Sequence, residues 1–194
     1  VLLSFHAALV LYINSSFIET YISKTSVSSI YIMSALLTVC AFLIIPKILN
    51  RFGNVRTVTA LTIIEGAALL AMPTIHNPLG ITFLFTVHQI AVPLLLFTLD
   101  IFMESLTGNC EKSTGGRRGL FLTIMSLTIA LSALLSGYLM GDSEPHYALV
   151  YTTSALLLIP FLLIIRLSFK HWTDTPYHET NHVSGFARLL HERD

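Results

Sequence analysis

Six polar residues stand inside long apolar runs, where each is costly without a partner: His6, Tyr12, Asn14, Glu65, His88 and Gln89. Imidazoles and carboxylates take up and release protons, and amides and phenols hydrogen-bond a bound solute. Glu65 lies near the middle of its run. An ionised carboxylate at such a depth costs about 3 kcal/mol on the insertion scale for aspartate, so it needs a proton or a cationic partner. It reads either as a proton site or as a neutral acid bonded to a neighbouring helix. His6 and Asn14 are two helical turns apart. Thr82, Thr86, Gln89, Pro93, Leu96 and Asp100 recur at helical spacing, with His88 one step around from Gln89. A proline within such a row frees a backbone carbonyl and permits a kink. These six residues are the candidates for a substrate or ion path. The competing reading is interhelical glue, worth about 1 kcal/mol per residue.

A second pattern is His178-Glu179-Thr180-Asn181-His182, the H-E-x-x-H spacing in which two histidines hold zinc and a glutamate activates water. That chemistry needs a helix and a third ligand. Here Pro176 precedes the motif, Thr180 and Asn181 are poor helix formers, and Gly185 follows. His191 or Glu192 would have to complete the site. A membrane-bound zinc metalloprotease is therefore an alternative reading, and a polar linker is the preferred one. Within that linker, "GFARLLHERD" has the composition of a short amphipathic surface helix. No metal and no cofactor is expected.

The elements that position these residues follow from composition. The 194 residues are 54% hydrophobic and 11% charged, and the mean hydropathy is +0.73. Soluble domains carry about 25% charged residues, so this chain cannot coat itself for water and fits a bilayer. The formal net charge is zero, which offers nothing to nucleic acid. Cys40 and Cys110 are far apart and form no disulfide or metal pattern. The chain opens on apolar residues at Val1, without a basic flank or cleavage site, and closes on a polar stretch. It reads as a fragment cut before or within its first span.

Six runs are long enough for spanning helices: 1–22, 27–49, 57–75, 79–103, 118–141 and 147–169. They are too long for barrel strands of about 10 residues and lack alternation. Each is expected as a continuous helix, because lipid offers the backbone no other partners. The fold class is thus all-α, a polytopic membrane bundle over residues 1–170 with a cytoplasmic linker or tail at 171–194. The connectors "MPTIHNPLG", "TGNCEKSTGGRRG" and "MGDSEPHY" carry turn residues. Lys47, Arg51, Arg56, Lys112, Arg117, Arg118, Arg166, Lys170, Arg188 and Arg193 fall on one side, and Lys24 alone on the other. The positive-inside rule makes the first side, and both ends, cytoplasmic. The fifth run carries Ser126, Ala130, Ala133, Gly137 and Gly141 at small-xxx-small spacing, a helix-packing face within the bundle or against a second one.

The link "PKILNRFGNVR", 46–56, turns at Gly53 between the second and third runs. It resembles the G-x-x-x-D-R-x-G-R-R stretch of the major facilitator superfamily (MFS) of secondary transporters. Pro46 stands at the first glycine, Asn50 at the aspartate, Arg51 at the arginine and Gly53 at the second glycine. Asn54 and Val55 replace the basic pair, and Arg56 comes one place later. "LDIFMES" and "TGGRRGLFLTIMSLTIALSALLSG" are similar to the fourth-to-fifth-helix region of some members. "SALLSG" lacks that family's proline motif, and no arginine lies between Ile81 and Asp100. The resemblance implies six of twelve transmembrane helices, one bundle of an MFS-type transporter, with a second six-helix half missing. It implies a cytoplasmic gate of Asn50, Arg51, Gly53, Arg56, Asp100 and Glu104, with Asp100 pairing to Arg51 or Arg56. Asn50 leaves that network one charge short. It also implies a third helix on the outside of the bundle, and a fourth helix lining a central cavity.

The expected function is secondary active or facilitative transport of a small solute by alternating access. H+ or Na+ would be the coupling ion, the lipid bilayer the surroundings, and a bacterial inner (plasma) membrane the location. No Walker-type loop supports ATP-driven transport, and no enzyme activity is expected. A non-transporting membrane receptor or scaffold is the remaining alternative.

Overall fold

The computed structural model describes residues 1–107, 111–141, 145–170 and 172. All regular structure among them is helical. α1 runs Leu2–Leu11, α2 Asn14–Glu19, α3 Lys24–Phe52, α4 Asn54–Ala71, α5 Pro78–Thr107, α6 Glu111–Met140 and α7 Tyr147–Ser168. A 3₁₀ turn, Met72–Thr74, extends α4. Five of these helices, α3 to α7, are long and apolar enough to cross a membrane.

The first predicted span is not continuous. The helix stops at Leu11 and restarts at Asn14, with Tyr12 and Ile13 between. The Ile13 N–H bonds the Val10 carbonyl at 3.1 Å, a tightened three-residue closure, before Phe17 N–H resumes the four-residue pattern on Ile13. Asn14, Ser15 and Ser16, which follow the break, are weak helix formers, and Asn14 turns its side chain to Tyr151 and His88. Neither fragment crosses a membrane alone.

α3 and α4 are joined by Gly53 alone. Its φ of 81° and ψ of 163° lie in a region that only glycine occupies without strain. The Gly53 N–H caps Leu49, and its carbonyl takes the Thr57 N–H and hydroxyl. Next to it, Asn54 is fully buried and donates from Nδ2 to the Thr98 carbonyl of α5 at 3.0 Å. The residue that replaces a basic position of the resembled motif thus docks α4 onto α5.

α4 packs on α5 and α7, and α1 packs on α7 and α6; α3 lies against α5. Two apolar clusters fill the interior. One gathers Phe17, Leu69, Ile81, Phe85 and Tyr151 towards the α2 end. The other gathers Leu3, Val58, Leu95, Phe102 and Phe161 towards the Gly53 end, covered by Phe169 and Trp172. α3 and α6 are the peripheral helices. Leu36, Leu43, Leu134 and Tyr138 are exposed on them, as lipid-facing or partner-facing side chains are.

Two expectations change here. The third run, α4, is not peripheral, because it carries Thr62, Glu65, Ala68 and Leu69 into the interior. The face that α6 buries is Thr128, Ser132 and Ser136, not the small-residue row. Ser132 Oγ donates to the Thr128 carbonyl at 2.7 Å and reaches the Phe5 carbonyl of α1 at 3.3 Å. Ala130 and Gly137 are exposed, Ala133 is half-buried, and a Cβ added at Gly137 would meet nothing within 4 Å. Gly141 ends α6 with φ 73°.

Gly53→Ala forces a side chain into the strained region and should destabilise the protein by about 1–3 kcal/mol. A lowered thermal midpoint in detergent is the expected readout; an unchanged midpoint would show that the link tolerates a Cβ.

Candidate functional site

The break in the first span places Asn14 beside the middle of the bundle, and four of the six polar candidates meet there. Glu65 from α4 is fully buried. His88 from α5 approaches its Oε1 through Nδ1 at 2.6 Å. His6 from α1 approaches the same oxygen through Nε2 at 3.2 Å, within ion-pair range but off hydrogen-bond alignment. Asn14 Nδ2 lies 3.2 Å from His88 Nε2, and its Oδ1 accepts from the Tyr151 hydroxyl of α7 at 2.9 Å. On the far side, His6 Nδ1 lies 2.8 Å from Ser154 Oγ and 3.2 Å from the Ser154 carbonyl. Ser154 Oγ itself donates to the His6 carbonyl at 2.9 Å. Five helices contribute to one chain of contacts: Tyr151–Asn14–His88–Glu65–His6–Ser154.

Donor directions fix most of the protons. Tyr151 donates to Asn14 Oδ1, so the Asn14 amide nitrogen faces His88 and donates to Nε2. His88 therefore carries its proton on Nδ1, where it meets Glu65. Ser154 spends its only hydroxyl proton on the His6 carbonyl, and the Ser154 carbonyl can only accept. His6 must then carry a proton on Nδ1. Its Nε2 faces the carboxylate either as a bare lone pair, which repels, or as an N–H, which attracts. Glu65 Oε2 has no hydrogen-bond partner. A buried charge with unmade bonds is expensive, and here the expense is concentrated on one carboxylate.

This cluster borders a cavity of about 660 Å³ between α1, α3, α5 and α6. Ser4, Asn14, Thr38, His88 and Gln89 give it polar groups. Ala7, Ala8, Leu11, Ile32, Ala35, Val92, Leu96, Met125 and Ile129 make most of its wall. Pro93 also lines it. Its missing N–H leaves the Gln89 carbonyl without its usual helical donor. The Thr38 hydroxyl, bonded to the Ser34 carbonyl at 2.8 Å, also reaches the Gln89 carbonyl at 3.4 Å. α3 thus supports α5 at its irregular point.

Other expected positions fall elsewhere. Tyr12 sits in the break but is half exposed and does not line the cavity. Asp100 is exposed, and no ion pair joins it to Arg51 or Arg56 among the described residues. Arg51 lies over the Phe52 ring at 5.3 Å, and Arg56 borders an apolar groove with Ile45, Ile48 and Thr57. Asn50 and Glu104 are exposed at the same end. At this end of α4, Asn54 contacts α5 through the Thr98 carbonyl.

The His178–His182 motif, with His191 and Glu192, lies outside the described residues, as does the tail after 172. Among the described residues no group of His, Cys, Asp and Glu is arranged to hold a metal. The central cluster does not fit one, because two imidazole nitrogens already contact a single carboxylate oxygen. Tyr151 and Ser154 were not singled out from sequence. The run Tyr151-Thr152-Thr153-Ser154 in an otherwise apolar helix was the available signal.

Tyr151→Phe removes the donor that orients Asn14 and leaves a buried amide oxygen unpaired, at a cost of about 1–3 kcal/mol. A lower denaturation midpoint is expected, and an unchanged one would show that Asn14 takes its orientation from elsewhere.

No family model matches the chain, and no curated protein or solved structure matches it either.

Proposed function

We propose that the chain forms one bundle of a secondary carrier that moves a small solute across a membrane by alternating access. The observation that carries this reading is the cavity beside the broken first span, with one polar wall continuous with a buried Glu–His cluster. Carriers bind their solutes near the midplane where helices are interrupted, because irregular backbone is tolerated where it lines a cavity. The pair α1–α2 would supply the sixth crossing, with α3 to α7 supplying the other five. A polar cluster used only as glue would have no need of a neighbouring space of about 660 Å³.

The lining favours a small amphipathic solute: a largely apolar body, with one or two hydrogen-bonding groups for Asn14, His88 and Gln89. α3 and α6 flank the cavity and expose apolar side chains, which suits a second bundle closing over it. The resemblance of the 46–56 link to the major facilitator superfamily supports the same reading. The bias of the cations to one side supports a cytoplasmic Gly53 link under the positive-inside rule.

The full-length protein in proteoliposomes should take up at least one member of a panel of labelled sugars, amino acids and amphipathic aromatic cations. Gln89→Ala should lower the initial rate by about tenfold, the effect of losing ~1.4 kcal/mol. Ile63→Ala, on the exposed side of α4, should leave it unchanged. Absence of flux for the whole panel would contradict carrier function, and equal loss in both variants would move the solute path away from this cavity.

A further inference from the structure

We propose that the ion coupled to transport is a proton, that the Glu65–His6 pair holds it, and that His88 with Asn14 reports its presence to the cavity. This rests on the carrier reading and names the ion for the same site.

The donor directions lead there. His88 is fixed as the neutral Nδ1–H form by the Asn14 amide, and Asn14 is fixed by Tyr151. The protonation open to change at the carboxylate is on the His6 side. His6 Nε2 faces Glu65 Oε1 at 3.2 Å without hydrogen-bond alignment, and Glu65 Oε2 is buried with no partner. With His6 Nε2 bare, the core holds one net negative charge that a single imidazole N–H must stabilise. A proton arriving from water bonds to the Nε2 lone pair, and the pair becomes a neutral ion pair. No other bond is made or broken, and leaving reverses the step. A buried site whose net charge changes between zero and minus one responds strongly to one proton, because an uncompensated charge is costly in a dry core.

Among the described residues the surroundings supply no substitute cation. The ion pairs of Glu65 are to His6 of α1 and His88 of α5. α7 faces the cluster with the Tyr151 and Ser154 hydroxyls, α2 with the Asn14 amide, and α3 places Tyr31 on the cavity wall. Hard cations take several oxygen ligands; here both imidazoles occupy Glu65 Oε1, and Oε2 is the carboxylate's one oxygen left without a partner, which favours a proton over sodium.

Both Asn14 and His88 line the cavity, so a solute can exchange with their mutual hydrogen bond. A solute donor at His88 Nε2 keeps the Nδ1–H on Glu65. A solute acceptor there draws the proton to Nε2 and withdraws the Nδ1–H, leaving Glu65 dependent on protonated His6. Solute and proton thereby act on each other through one imidazole.

The test uses the full-length protein in two arms. In lipid nanodiscs, 15N-histidine NMR across a pH series should show His6 changing its protonation state while His88 keeps its Nδ1–H. In Glu65→Gln, which is nearly isosteric, that His6 transition should shift or disappear. In proteoliposomes, a gradient of one pH unit should drive about tenfold accumulation of the transported panel member per proton carried. Glu65→Gln and His6→Gln should lose that accumulation while solute-for-solute exchange continues. Exchange that continues in either variant shows that it has folded. Accumulation driven by sodium and indifferent to pH would overturn the proposal, as would a His6 that never titrates. Absence of any flux would remove the carrier reading, and the spectra would still decide whether the pair binds the proton.

Discussion

A carboxylate in a dry helical core must be compensated, and the compensation of Glu65 organises this bundle. Its partners come from α1 and α5, their partners from α2 and α7, and every one of those groups is buried. Apolar packing in a bilayer is weakly directional, because lipid tails and leucine side chains are alike to one another. A hydrogen-bonded chain through five helices is directional. It sets the rotation of α4 so that Glu65 points inward, and it sets the position at which the first span can break.

The break and the cavity belong together. A continuous helix through Tyr12–Ile13 would keep its backbone closed. The interruption is acceptable because Asn14 is tied on both sides, to Tyr151 and His88. Pro93 repeats the theme on α5, one turn beyond Gln89, with Thr38 of α3 near the freed carbonyl. Irregular backbone, polar side chains and open volume thus coincide at mid-bundle, between two well-packed apolar ends.

The helical content and most helix positions were legible in the sequence because length and hydropathy determine them in a bilayer. Gly53 was legible as a turn because a one-residue link between antiparallel helices needs a conformation that glycine supplies. His6, Asn14, Glu65, His88 and Gln89 stood out as polar residues in apolar runs. That the first four meet was not legible, because their contact depends on how separate helices rotate and stack. The break at Tyr12–Ile13 was hidden by the apolarity of the run, although Asn14-Ser15-Ser16 marked it. The charged latch expected at Asp100 rested on the motif's usual acid and bases. Asn50 and Asn54 alter that motif, and Asn54 bonds the Thr98 carbonyl of α5 through a neutral amide. The small-residue row of α6 suggested packing within the bundle or against a second one; within this bundle α6 buries Thr128, Ser132 and Ser136, and the hydroxyls of the first two bond backbone carbonyls.

The central claim is that this mid-bundle cavity opens to each side of the membrane in turn. The direct measurement is labelling of Ala35→Cys, on the cavity wall, in full-length protein in which Cys40 and Cys110 are replaced by serine. A membrane-impermeant thiol reagent is applied to one face of sealed vesicles and then to the other. The account predicts modification from both faces. Modification from one face only, or from neither, would contradict it.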